Sequence, residues 1–174
     1  MIYNIDKQAE SVVKLLCKCN KKAATAESCT GGLISAAITS VSGSSEVFDM
    51  GICSYANIIK EKKLNVPREY LESFGAVSEQ VACAMAEGVM NSAESDFAVS
   101  TTGIAGPTGG TPEKPVGTVW IGVCSRHSGA RARCFHFGEL DCPNGLNERE
   151  FIRRQAVLKA LELLEEEIIN TNNI

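Results

Sequence analysis

The sequence is poor in aromatic residues and in histidine, and it contains no long apolar segment. Aromatic residues make up 6% of its 174 residues, and histidine occurs twice. A membrane-spanning helix needs about 18 or more nearly uninterrupted apolar residues, and no stretch of the chain supplies them. The start of the chain also lacks the basic segment and apolar run that are typical of a signal peptide. We therefore expect a cytoplasmic protein that does not bind a membrane.

Positive charge is scarce as well. Lys and Arg total 17 against 21 Asp and Glu, which gives a net charge of −4. Proteins that bind a phosphate backbone usually carry clustered basic residues, so we expect no nucleic-acid partner. The hydrophobic fraction of 44% and the charged fraction of 22% are ordinary for a globular protein. The length predicts a single domain over residues 1–174.

Cysteine, in contrast, is abundant. The chain has 8 cysteines but no Cys-x-x-Cys pair, and structural zinc sites usually depend on such pairs. We therefore predict no metal site, and nothing in the sequence calls for another cofactor. In a reducing cytoplasm the cysteines would stay thiols, and most would pack as small apolar side chains.

Apolar periodicity predicts alternating helices and strands. The predicted helices cover 5–18, 33–41 and 57–64, one starts after an N-cap at Ser78, and the last starts at Asn147 with Glu150 at capping-box spacing. The predicted strands cover 23–26, 47–56, 96–102, 118–125 and about 131–137. This interleaving predicts the α/β class, as one three-layer α/β/α domain with a mixed sheet.

Two loops differ from ordinary connections. Residues 103–117 form a long segment rich in glycine and proline, whose backbone N–H groups could approach a ligand closely, although the glycines could also serve turns alone. It matches neither a Walker A loop nor a dinucleotide fingerprint. Residues 27–32 form a strand-to-helix turn with Ser28 at its start. Ser28 could cap the helix, lie beside N–H groups that bind an anion, or act as a nucleophile.

A nucleophilic serine needs a base, and the two histidines lie far along the chain. Tyr55 and Lys60 form one candidate pair, and Lys114 is a competing lysine. A lysine base must have its pKa lowered toward about 7–8 by burial or by neighbouring cations. Cys29 is a second candidate nucleophile, because a helix N-terminus lowers a thiol pKa.

Several motifs resemble the CinA C-terminal domain family over about residues 7–168. They are AESCTGG at 26–32, SYAN at 54–57 with Lys60, GAVS at 75–78, GIAGP at 103–107 and EKPVGTVW at 113–120. The characterised activity of that family is nicotinamide-nucleotide amidase, which hydrolyses nicotinamide mononucleotide to nicotinic acid mononucleotide and ammonia during pyridine nucleotide recycling. The resemblance implies the stand-alone form of this amidase, without the larger N-terminal domain of longer members.

The resemblance also implies residue roles. Ser28 would be the nucleophile, and Tyr55 and Lys60 would activate it and move its proton to the leaving ammonia. The residues expected to bind the substrate are Thr30, Gly31, Gly32, Thr102, Gly103, Gly106, Gly109, Gly110 and Arg149. No cofactor is implied, and the partner is a small pyridine nucleotide.

This sequence departs from the family where a short Gly-Asp-Arg run often precedes the last helix. Residues 138–149 are longer and altered there, so either Arg149 or Arg153 could meet the substrate phosphate. A non-catalytic nucleotide-binding or interaction module that uses the same pocket is the alternative function. A phosphotransferase is less favoured, because no Asp-rich metal site accompanies the glycine loop. A homo-oligomer is possible.

Overall fold

The computed structural model describes residues 4–172 as one mixed sheet between two layers of helices. The strands are β1 (Ala23–Glu27), β2 (Phe48–Cys53), β3 (Phe97–Gly103), β4 (Thr118–Ser125) and β5 (Gly129–His136). The helices are α1 (Ile5–Cys19), α2 (Leu33–Thr39), α3 (Asn57–Leu64), α4 (Arg68–Ser73), α5 (Glu79–Ala93) and α6 (Glu148–Asn172). The predicted α/β/α fold class is confirmed.

The strand order is β2-β1-β3-β4-β5. Strand β1 runs parallel to both β2 and β3, whereas β4 is antiparallel to β3 and to β5. The three parallel strands therefore end at the same edge of the sheet. In open α/β sheets, ligands bind in the crevice outside the carboxyl ends of such strands.

Each face of the sheet has its own apolar core. On one face α1, α2 and α6 pack through residues such as Leu16, Ile38 and Leu161. On the other, α3 and α5 pack through residues such as Leu64 and Met85. Because β1 lies in the middle of the parallel part and is covered on both faces, all five of its residues are buried.

Some boundaries differ from the sequence-based prediction. Strand β2 ends at Cys53 rather than 56, because Ser54 and the residues after it turn into α3. Helix α4 was not predicted, since it is short and buries none of its side chains. The Asn147 side chain does accept the Arg149 N–H, as an N-cap would. The carboxylate of Glu150 pairs with Arg154 and not with the cap.

Glycine at one position lets two helices approach closely. A Cβ placed on Gly88 of α5 would lie 2.0 Å from the carbonyl oxygen of Leu64, at the end of α3. Only glycine leaves room for that carbonyl. The contact fixes the position of α3, the helix that carries Lys60.

Candidate active site

A serine and a buried lysine meet at the carboxyl ends of the parallel strands. Ser28 directly follows β1, and its N–H donates to the Thr101 carbonyl at 2.9 Å. Lys60 comes from the first turns of α3 and is 1% exposed. The Lys60 Nζ lies 3.1 Å from the Ser28 Oγ. This distance permits direct proton transfer between the two side chains.

Two carbonyl groups orient the lysine nitrogen. Besides contacting Ser28, the Lys60 Nζ donates to the carbonyl of Ser54 at 2.7 Å and to that of Tyr55 at 3.3 Å. A charged ammonium has three protons, which match these three acceptors. A neutral amine has only two, and the carbonyls can hold both. The remaining lone pair then faces the Ser28 hydroxyl, as a general base requires.

Burial also favours the neutral form of this lysine. It lowers the pKa of Lys60 from its ordinary value of 10.5 to about 8. The sequence-based expectation of a lysine with a lowered pKa therefore holds, and burial rather than a neighbouring cation is its cause. A base with a pKa near 8 is partly deprotonated at neutral pH and can cycle its proton.

A pocket of about 210 Å³ opens onto Ser28 and Lys60. Its other lining residues are Cys29, Tyr55, Asn57, Ala76, Val77, Thr102, Gly103, Ala105 and Arg149. A larger cleft of about 680 Å³ lies between α1, α2 and the start of α6 and shares only Arg149 with this pocket. We place the site in the smaller pocket, because it contains the serine and the lysine.

Tyr55 and Arg149 lie at the edge of this pocket. The Tyr55 side chain is 66% exposed, and its hydroxyl accepts a hydrogen bond from Arg149 at 3.4 Å. Arg149 also donates to the Gly106 carbonyl at 2.6 Å. No hydrogen bond joins the Tyr55 hydroxyl to Ser28 or Lys60, so the structure does not bring the phenol into the proton path implied by the resemblance.

The family model for the CinA C-terminal domain matches residues 5–168. The chain belongs to this family. It is 44% identical over 160 residues to a CinA-like protein from Anaeromyxobacter sp. (strain K), with 91% of this chain and 37% of that protein covered. A CinA-like protein from Kosmotoga olearia is 52% identical over 124 residues, which cover 70% of this chain and 30% of that protein. The chain thus spans less than two fifths of the length of these relatives.

Solved structures of CinA proteins share the fold over nearly their full length. The competence/damage inducible protein CihA from Agrobacterium tumefaciens aligns with a TM-score of 0.85 at 40% identity, covering 92% of this chain and 93% of that one. A CinA superfamily protein from Klebsiella pneumoniae aligns with a TM-score of 0.86 at 29% identity, and the alignment covers 95% of this chain and 98% of that one. No helix among residues 4–172 has the length and apolar character needed to cross a membrane.

The turn after β1 in this CinA domain differs from the predicted arrangement of free donors. The Gly32 N–H donates to the Glu27 carboxylate at 2.9 Å, so it is not available to a ligand. Thr30 is fully buried, and its hydroxyl bonds to that of Thr101 at 2.7 Å. Gly31 does not line the pocket; a Cβ there would lie 3.1 Å from the Arg153 guanidinium.

The predicted residues of the glycine loop lie at different distances from the pocket. Thr102 and Gly103 line the pocket, and the Thr102 hydroxyl donates to the Ala76 carbonyl at 2.7 Å. Gly106 meets the site through the Arg149 contact described above. Gly109 and Gly110 are exposed and lie outside the pocket lining. The far part of the loop is therefore not brought to Ser28.

The competing candidates are placed unfavourably for catalysis. Burial raises the pKa of Cys29 from 9.0 to about 12, which is opposite to the lowering that a helix N-terminus alone would produce. Lys114 donates to the Phe74 carbonyl at 2.9 Å and does not line the pocket. Ser28 and Lys60 thus remain as the candidate reactive pair.

Several residues of this candidate site were missed by the sequence-based prediction. The carbonyl of Ser54 orients Lys60, and Asn57, Ala76 and Val77 line the pocket. All four lie within the motifs that resemble the family, so membership of a motif was the available signal. A backbone carbonyl has no signature of its own in the sequence.

Proposed function

We propose that this CinA domain is an amidohydrolase that deamidates nicotinamide mononucleotide through a Ser28 nucleophile. The observation that carries the proposal is the buried pair of Ser28 and Lys60, with its 3.1 Å separation and its two orienting carbonyls. Serine nucleophiles need an adjacent base, and Lys60 is placed to be one. The substrate itself comes from the family resemblance.

The reaction proceeds in two halves. Neutral Lys60 takes the Ser28 proton while the Ser28 oxygen attacks the carboxamide carbon, forming a tetrahedral intermediate. The Lys60 ammonium then gives its proton to the amide nitrogen, the C–N bond breaks, and ammonia leaves an acyl-serine ester. A water molecule attacks that ester, and Lys60 takes a proton from the water. The acid is released when the Lys60 proton returns to the Ser28 oxygen.

The size of the pocket suggests how the substrate lies. A volume of about 210 Å³ is below the roughly 300–1,000 Å³ of pockets that enclose drug-sized ligands. We infer that the pyridine ring and its carboxamide enter the pocket, while the ribose phosphate stays at its edge. Arg149 lies at that edge and supplies a positive charge for the phosphate.

The decisive experiment is incubation of the purified protein with nicotinamide mononucleotide. We expect release of ammonia and a gain of about one mass unit in the nucleotide. Ser28→Ala should abolish both, whereas Ser42→Ala, at an exposed serine after α2, should leave the rate unchanged. Full activity of Ser28→Ala would refute the mechanism. Saturable binding without product would favour the non-catalytic nucleotide-binding module instead.

The pH dependence gives a second test. Because only the neutral amine accepts a proton, kcat/KM should rise with pH, with an apparent pKa near the value of about 8 for Lys60, and level off above it. A rate that is constant between pH 6 and 9 would argue against Lys60 as the base.

A further inference from the structure

A fully buried carboxylate stands directly before the nucleophile. Glu27, the last residue of β1, is 0% exposed. Its carboxylate accepts the N–H groups of Gly32 at 2.9 Å, Ile34 at 3.1 Å and Ser35 at 2.9 Å. It also accepts the Ser35 hydroxyl at 2.8 Å. Four donors around one carboxylate offset the cost of burying its charge.

Arg153 holds the same turn from the other side. Its Nε donates to the Cys29 carbonyl at 3.1 Å, and one terminal nitrogen donates to the Thr30 carbonyl at 2.7 Å. Glu27 therefore binds N–H groups at one end of the turn, and Arg153 binds C=O groups at the other. We call Glu27 and Arg153 together the turn clamp.

Neither member of the turn clamp faces the Ser28 pocket. Glu27 and Arg153 are both absent from its lining, whereas Arg149, one helical turn before Arg153, is part of it. Both guanidinium–carbonyl bonds of Arg153 point to the turn. Arg153 instead lines the larger cleft between α1, α2 and the start of α6, with its guanidinium held by the turn.

The clamp fixes the distance on which proton transfer depends. Ser28 lies between Glu27 and Cys29, so movement of either neighbour shifts its hydroxyl relative to the Lys60 nitrogen. A misplacement of about 1 Å in a reacting group can reduce a rate roughly 100-fold. At the start of α2, the Ile34 and Ser35 N–H groups are occupied by Glu27 and that of Leu33 by the Thr30 carbonyl, so they are not available to an incoming anion.

We propose that Glu27 and Arg153 are positioning residues that hold the Ser28 turn, and that Arg153 does not bind the substrate phosphate. The kinetic part of the test rests on the proposed deamidation, but the labelling part does not. A positioning role predicts a fall in kcat with little change in KM, whereas loss of a phosphate contact raises KM.

The labelling probe is a fluorophosphonate, which reports on the nucleophile without any nucleotide. The Ser28 oxygen forms a bond to phosphorus, the P–F bond breaks, fluoride leaves with the bonding electrons, and the Ser28 proton goes to Lys60. Mass spectrometry of the labelled peptide gives the rate. Arg154→Met is the matched control, because Arg154 is exposed and pairs with Glu150 on the surface of α6.

For Arg153→Met and Glu27→Gln we expect kcat and the labelling rate to fall together by at least about ten-fold, with KM within about three-fold of its original value. Arg153→Lys, which can restore one carbonyl contact, should recover part of the labelling rate. Arg154→Met should match the unchanged protein. If Glu27→Gln does not fold, the two Arg153 variants still test whether the turn clamp positions Ser28.

A raised KM with unchanged kcat and labelling in Arg153→Met would overturn the proposal and make Arg153 a phosphate ligand. Labelling of Ser28 without turnover of nicotinamide mononucleotide would refute the proposed function. The turn clamp would still be tested by the rates at which Ser28 is labelled in the Arg153 and Glu27 variants. Equal labelling of the Arg153→Met and Arg154→Met variants would refute the clamp alone. No labelling of the unchanged protein would refute a nucleophilic Ser28 and both proposals with it.

Discussion

The buried Lys60 should make the stability of the protein depend on pH in a way that Lys60→Met removes. The folded pKa of about 8 lies below the ordinary value of 10.5, so the unfolded chain holds this proton over a wider pH range. Stability rises with pH wherever the unfolded state binds more protons. The penalty for charging Lys60 is therefore largest below pH 8 and disappears as the pH rises past about 10.5.

The size of this effect follows from the pKa difference. The difference between the folded and unfolded pKa of Lys60 corresponds to about 3 kcal/mol of unfolding free energy. The protein should gain about 2 kcal/mol of this free energy between pH 7 and pH 9.5. Thiols act in the opposite direction, because burial raises the pKa of Cys29 and Cys124 to about 12 and that of half-buried Cys83 to about 11. A comparison with Lys60→Met at each pH cancels the contribution of Cys83 and Cys124, neither of which interacts with Lys60.

The assay is urea unfolding of both proteins at pH 7 and pH 9.5 in the presence of a reductant. The unfolding free energy of the unchanged protein should increase by about 2 kcal/mol more than that of Lys60→Met. Lys62→Met, at an exposed position on the same helix, should follow the unchanged protein at both pH values. An equal change in Lys60→Met and the unchanged protein would refute the idea that burial destabilises the charged lysine.

Three further outcomes are expected. Gly88→Ala should destabilise the fold by about 1–3 kcal/mol in thermal melts, although alanine usually suits a helix better, because its Cβ would lie 2.0 Å from the Leu64 carbonyl oxygen. Iodoacetamide at pH 8 should alkylate exposed Cys17 well before buried Cys29, as followed by mass spectrometry, and equal rates would contradict the raised pKa of Cys29. Tyr55→Phe should change the fluorophosphonate labelling rate less than about three-fold, because no hydrogen bond joins its hydroxyl to the reactive pair; a loss near 100-fold would place the phenol in the proton path.

The alternation of helices and strands was predictable because most of the longer elements carry either a helical apolar period or a continuous apolar run. Helix α1 buries Ala9, Val12, Val13 and Leu16 at helical spacing, and β4 is a nearly continuous buried run. The short α4 lacks such a signal, since it rests on the surface. The strand order was not predictable, because pairing between distant strands depends on which faces fit together and leaves no local pattern.

The chemistry of the site was predictable only in part. Ser28 and Lys60 could be proposed as a pair from their residue types and the motifs around them, and the structure places them 3.1 Å apart. The availability of backbone donors could not be deduced. The Gly32 N–H faces inward to Glu27, and only the three-dimensional path of the turn decides whether a glycine N–H faces a pocket or a neighbouring side chain.

One physical cause favours Ser28 over the adjacent Cys29 as the proposed nucleophile. Loss of water disfavours every charged form, so the burial that lowers the pKa of Lys60 to about 8 also raises that of Cys29 to about 12. The same environment thus makes a lysine a usable base and a thiol an unreactive one. A serine does not need to be ionised beforehand, because its proton can leave as it attacks. Desolvation at this turn therefore favours a neutral hydroxyl with a neutral amine beside it.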